Sequence, residues 1–148
     1  MLRLVLAWLH LLALGVGPAA VWGRARALRA WLRDPADDRA ITRVFTADSW
    51  WGIAAIVWLV TGLWRLLAST EKSTSYYLGN HVFYGKMIMF ATVLAIEFSP
   101  MMTLIKWRMK RAEPNPHDAH RIEVTSYVEC GIVVVIVLFA VAMARGLG

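Results

Sequence analysis

Four apolar stretches divide the chain, near residues 3–23, 50–68, 82–105 and 124–145, and charged or turn-forming segments separate them. Each is close to the roughly 20 residues that a helix needs to cross the hydrocarbon of a bilayer. Backbone polar groups in lipid must be satisfied internally, which leaves helices or a closed barrel, and runs of this length are too long for barrel strands. The pattern predicts an all-α polytopic membrane protein, with four transmembrane helices in an up-and-down bundle forming a single domain over residues 1–148.

The connecting segments set the orientation. The first, "RARALRAWLRDPADDRAITRVFTADSW", carries Arg24, Arg26, Arg29, Arg33, Arg39 and Arg43. It reads as a continuation of the first helix to about Leu32, a break at "DPADD" and a second short helix before the next span. The third, "IKWRMKRAEPNPHDAHR", is also basic, is broken by Pro114 and Pro116, and leaves His117 and His120 solvated. The second, "STEKSTSYYLGN", sets only Lys72 against Glu71. The positive-inside rule then makes the first and third loops cytoplasmic and puts both termini outside.

Composition agrees with a membrane chain: 59% of the 148 residues are hydrophobic, eight are Trp, and the mean hydropathy is +0.53. In this setting the net charge of +6 reports topology and anionic headgroups, so membrane lipid is the expected partner and nucleic acid is not. A single cysteine, Cys130, excludes an internal disulfide and a cysteine-based metal site. No Ser/His/Asp set, phosphate loop or metal-binding His spacing points to soluble-enzyme chemistry.

Depth along each helix, at about 1.5 Å per residue, sorts the ionisable residues. The outer half collects His10, Arg65, His81 and Lys86, with Tyr76, Tyr77 and Tyr84 nearby in sequence; the inner half collects Glu97 and Glu129, with Asp48 at its boundary. Groups at such depths face the bundle interior, pair, or line a path. On the first span Ala7, His10, Ala13 or Leu14, Gly17 and Val21 share a face, with Ala13 and Gly17 leaving space beside the imidazole. Trp51, Ala55, Trp58, Gly62 and Arg65 form a stripe on the second. Lys86, Phe90, Val93 and Glu97 do so on the third, with a kink expected at Pro100. Such alternation of small and aromatic residues serves helix packing, and it would also make a slot for a flat, apolar, anionic cofactor. His81 and Lys86 lie about 140° apart around a helix, so they cannot both face that slot; Gly85 would clear room beside His81.

Haem matches imidazole ligands, apolar walls and cations for its propionates. In that reading His10 is the axial metal ligand, and His81 or Lys86 is the second ligand. Lys86 is also the candidate catalytic proton donor, and Arg65 with Lys86 binds the carboxylates. No covalent attachment motif is present, so the cofactor would be non-covalent haem b, and a membrane redox complex or a quinone would be its partner, with room for a homo-oligomer.

"AWLHLLAL", "RARALR", "VFTADSWWG", "WLVTGLWR", "EKSTSYYLGNHVFYGKM" and "AMARGLG" resemble a group of small four-helix bacterial membrane proteins classed as a domain of unknown function. The resemblance covers most of the chain and implies the bacterial inner membrane. More distantly, the layout is similar to the HemJ type of protoporphyrinogen oxidase, a small helical membrane haem b protein. Its early histidine matches His10 in "WLHLLAL", and its functional lysine matches Lys86 in "HVFYGKM". The third span departs from that family's His-x-Lys pattern, so the resemblance implies haem at His10 and Lys86 rather than the oxidase activity.

Two other functions fit the same residues. One is an accessory subunit of a larger membrane complex, held by Trp-rich faces and basic loops. The other is a proton or small-solute transporter using Glu97, Glu129 and Lys86, although no inverted repeat is visible.

Overall fold

The computed structural model describes residues 1–68 and 79–146. Tyr76, Tyr77, Lys72 and Glu71 lie outside the described residues. Among the described residues there are four helices: α1 (Leu2–Arg33), α2 (Asp38–Leu67), α3 (His81–Arg108) and α4 (Pro116–Ala144). All four are long and apolar enough to cross a membrane.

Local chemistry sets three of the starts. Asp37 accepts a hydrogen bond from the Arg39 N–H ahead of α2. Asn80 does the same from Val82 and Phe83 ahead of α3, and Asn115 from Asp118 ahead of α4, where Pro116 supplies a first residue that needs no donor. The helical continuation expected after the first span is present, and "DPADD" does break the chain. The separate short helix expected after that break is not present: α2 runs without interruption from Asp38, because nothing between the Asp37 cap and the span breaks a helix. His117 and His120 likewise lie on the first turns of α4 rather than in a loop, and both are exposed. α3 continues through Pro100, which is buried.

Every neighbouring pair is antiparallel. Gly17 lies against Trp51 and Ala54, and Gly23 against Ala47, which orients α1 against α2. Trp22 meets Tyr127 edge-on while Arg29 bonds Glu123, orienting α1 against α4. Gly85 lies against Phe139 while Leu104 and Ile122 share the basic-end core, orienting α3 against α4. Trp58 meets Phe90 edge-on while Arg108 bonds the Phe45 carbonyl, orienting α2 against α3. The order is up-down-up-down, and the α2–α3 seam is the least packed of the four.

Helices of 28 to 32 residues are about 42 to 48 Å long, against roughly 30 Å of hydrocarbon. The surplus lies at the basic end. There are accordingly two apolar cores. One joins Ala13, Val21, Trp51, Trp58, Val93 and Ile136. The other joins Leu28, Trp31, Val44, Leu104, Trp107 and Ile122 at the basic end. Between them lies a polar layer.

Candidate functional site

The polar layer is built on Arg24. On α1 the buried positions Gly17, Val21, Arg24, Leu28 and Trp31 recur at alternating spacings of four and three, the repeat of one helix face. The face that packs the upper core therefore carries the guanidinium inward. Its side chain is 0% exposed and touches all three other helices.

All five guanidinium N–H groups are engaged. Nε donates to Ser126 Oγ at 3.0 Å. Nη1 donates to Asp48 Oδ1 at 3.1 Å and to Glu97 Oε1 at 2.6 Å. Nη2 donates to Glu97 Oε2 at 2.7 Å and to Glu129 Oε2 at 2.9 Å. Five donors is the full capacity of arginine, and the two-pronged grip on Glu97 is its strongest geometry. The Ser126 hydroxyl donates its own hydrogen bond to the Ile122 carbonyl at 2.8 Å, which leaves its oxygen free to accept.

The charges do not balance. Three carboxylates surround one guanidinium. Arg108 adds a second cation only at 3.5 Å from Asp48 Oδ2, from a half-exposed position. Glu129 is 0% exposed, and its Oε1 is buried without a hydrogen-bond partner among the described residues. Asp48 and Glu97 keep 16% and 13% of their side chains exposed. They stand on α2 and α3, the least packed pair, so the layer opens at that seam and is closed at Glu129.

The sequence-predicted residues of the outer half are placed differently. His10 is half-buried and held at both ring nitrogens. Trp58 Nε1–H donates to Nε2 at 2.9 Å, and Nδ1 lies 2.8 Å from Thr61 Oγ1. The Thr61 hydroxyl proton is directed at the Val57 carbonyl, 2.7 Å away. Its oxygen must then accept, which fixes His10 as the neutral imidazole protonated on Nδ1. The space for this ring comes from Gly62, where a Cβ would lie 3.4 Å from His10 Cε1. It does not come from Gly17, whose missing side chain instead admits Trp51 at 3.1 Å. Ala13, expected beside the ring, is buried in the upper core.

Lys86 and Arg65 are half-buried; the Lys86 ammonium lies 5.8 Å from the centre of the Phe83 ring. His81 is exposed at the first residue of α3. Gly85 does not clear room for it but makes way for Phe139. The donor set as arranged does not fit an axially ligated haem: the one half-buried imidazole has its only lone-pair nitrogen bonded to an indole N–H. Among the described residues no group of three or more His, Cys, Asp or Glu side chains is arranged to hold a metal ion.

The sequence puts Glu97 and Glu129 in the inner half with Asp48 at its boundary, and in the structure all three reach Arg24. Sequence reading missed Arg24, counted with the loop arginines, and Ser126. Comparison with known proteins gives one family model, described as "Predicted membrane protein (DUF2214)", which matches residues 2–148. No curated protein and no solved structure matches the chain, and the likeness to HemJ-type oxidases finds no support there.

Proposed function

We propose that this chain, which belongs to the DUF2214 family of predicted membrane proteins, is a proton-handling membrane protein whose acidic centre is Asp48, Glu97 and Glu129 around Arg24. The observation that carries the reading is the Glu129 carboxyl group, fully buried, with one oxygen unpartnered beside an arginine that has no donor left. An ionised carboxylate in that position carries the full cost of a buried, half-solvated charge. Retaining a proton removes that cost, and the excess of carboxylates over cations favours it further. Intramembrane clusters of this composition are the usual material of proton relays.

Exchange with water is supported by the geometry of the seam. Protons would enter at Asp48 and Glu97, which keep some exposure, and pass inward to Glu129, which shares the Arg24 Nη2 group with Glu97. The chemistry needs no redox partner.

Infrared spectroscopy of the purified protein in lipid tests the reading. A protonated-carboxyl band should be present at neutral pH and absent from Glu129→Gln. Its absence from the unaltered protein, or its persistence in the variant, overturns the assignment.

The haem b reading of the sequence is the alternative; in it Lys86 and Arg65, both half-buried, would hold the propionates. It requires Trp58 to release His10. A Soret band in protein from haem-replete cells, lost in His10→Ala, would favour it over the proton reading.

A further inference from the structure

A second built feature lies on the outside of the α1–α2 pair, away from the Arg24 layer. A groove of about 710 Å³ runs between the two helices. Its floor is made by Ala19, Ala20, Gly23 and Ala47, residues too small to fill it, and Trp50 forms one wall. Arg26 from α1 and Arg43 from α2 also line it. Because Gly23 packs at the level of Ala47 and the helices are antiparallel, Arg26 and Arg43 stand at one level, facing each other across the groove.

We infer that this groove binds one anionic phospholipid, with the phosphate between Arg26 and Arg43 and an acyl chain along the Ala/Gly floor. Charge complementarity argues for the anionic headgroup. Both arginines are exposed, neither forms an ion pair among the described residues, and the groove lining contains no Asp or Glu. That contrasts with Arg24 and Arg29, whose guanidinium groups are taken by carboxylates.

Length argues for the chain. From the level of Arg26 to Val16, the far end of the lining, ten residues of helix rise about 15 Å, which is half of a roughly 30 Å hydrocarbon core and so one leaflet. Polarity runs the right way: the cations lie at the end where the bundle leaves the lipid, and the apolar floor descends from them. Trp50, half-exposed beside the groove, is the residue type that sits at the headgroup boundary. A soluble phosphate would use the arginine pair alone and leave the floor empty.

Native mass spectrometry of the detergent-purified protein, offered phosphatidylglycerol, phosphatidylcholine or inorganic phosphate, tests the inference. One copy of phosphatidylglycerol should be retained at least about tenfold better than phosphatidylcholine, since each arginine near a headgroup is worth about 1 kcal/mol. The double variant Arg26→Ala, Arg43→Ala should lose that copy. Ala19→Phe, a change at an exposed position that fills the floor and leaves both cations, should lose it too. Equal retention of the two lipids overturns the inference, as does an unchanged bound copy in either variant. Displacement of the lipid by inorganic phosphate at equal concentration would assign the site to a soluble anion instead. None of these outcomes depends on the protonation of Glu129.

Discussion

Arg24 of α1 holds Glu97 of α3 in a two-pronged ion pair, with 2.6 and 2.7 Å between the paired atoms. These helices are diagonal partners in the bundle, and the pair is made where neither apolar core can stabilise the packing. Removing Arg24 would leave three buried or half-buried carboxylates facing one another. Breaking a buried pair from one side costs about 3–5 kcal/mol, because the remaining charge is uncompensated. Arg24→Ala should therefore lower the midpoint of thermal unfolding in detergent far more than Arg26→Ala, whose side chain is exposed. Arg24→Lys should recover little, since an ammonium cannot reproduce five donors in a fixed fork.

Glu97 and Glu129 should respond differently to the same chemical change. Both oxygens of Glu97 are bonded to Arg24, so Glu97→Gln replaces one acceptor by a donor facing the guanidinium. Glu129 offers one oxygen to Arg24 and leaves the other without a partner. If it already carries a proton, Glu129→Gln substitutes one neutral group for another. Thermal unfolding should show a loss of about 1–3 kcal/mol for Glu97→Gln and less than about 1 kcal/mol for Glu129→Gln. The reverse order would mean that Glu129 is ionised in the folded bundle.

The glycines of α1 provide a graded test of the upper core. A Cβ on Gly17 would lie 3.1 Å from Trp51 Cζ3, whereas one on Gly15 would meet nothing within 4 Å. Trp51 is itself buried and cannot swing clear as a flexible chain would. Gly17→Ala should destabilise the protein by about 1–3 kcal/mol through overpacking. Gly15→Ala should be neutral or stabilising by up to about 1 kcal/mol, as expected for alanine in place of glycine in a helix interior. Parallel melting curves of the two variants check the contrast.

His10 should be a neutral imidazole with its proton on Nδ1, a statement that nitrogen NMR of labelled protein can read directly. Trp58→Phe removes the indole donor at 2.9 Å and should shift the Nε2 resonance without moving that proton. A positively charged ring, or the proton on Nε2, would contradict the arrangement with Trp58 and Thr61.

Much of the fold was legible because its signals are additive along a helix. Four apolar runs, two Pro-containing breaks and an asymmetric distribution of Arg give the span count and connectivity without reference to any tertiary contact. The candidate site was half legible. Glu97 and Glu129 are costly in lipid wherever they point, so their common depth was visible, with Asp48 at the boundary. Arg24 was hidden by its company, since Arg26, Arg29 and Arg33 follow it and differ only in the face of α1 that they occupy. Extending the stripe Gly17, Val21 by one step of three reaches Arg24, and an inward arginine is what three inward carboxylates require. The Trp58–His10 bond was not legible, because it depends on the rotation of α2 against α1, which the pattern of small residues leaves open.

Arg108 closes the exposed edge of the polar layer. Its Nη2 donates to the Phe45 carbonyl at 2.8 Å and reaches Asp48 Oδ2 at 3.5 Å, and its guanidinium lies 5.2 Å from the centre of the Phe45 ring. It thus ties α3 to α2 across the least packed seam, on the water side of Asp48. Surface ion pairs are worth little to stability, so Arg108→Gln should leave the melting temperature within a few degrees of the original. Access is another matter, because the side chain stands where a proton or water would enter. Hydrogen–deuterium exchange of the cluster's carboxyl groups, followed by infrared spectroscopy, should quicken several-fold in Arg108→Gln. An unchanged rate would place the entry elsewhere and separate the opening of the α2–α3 seam from proton exchange.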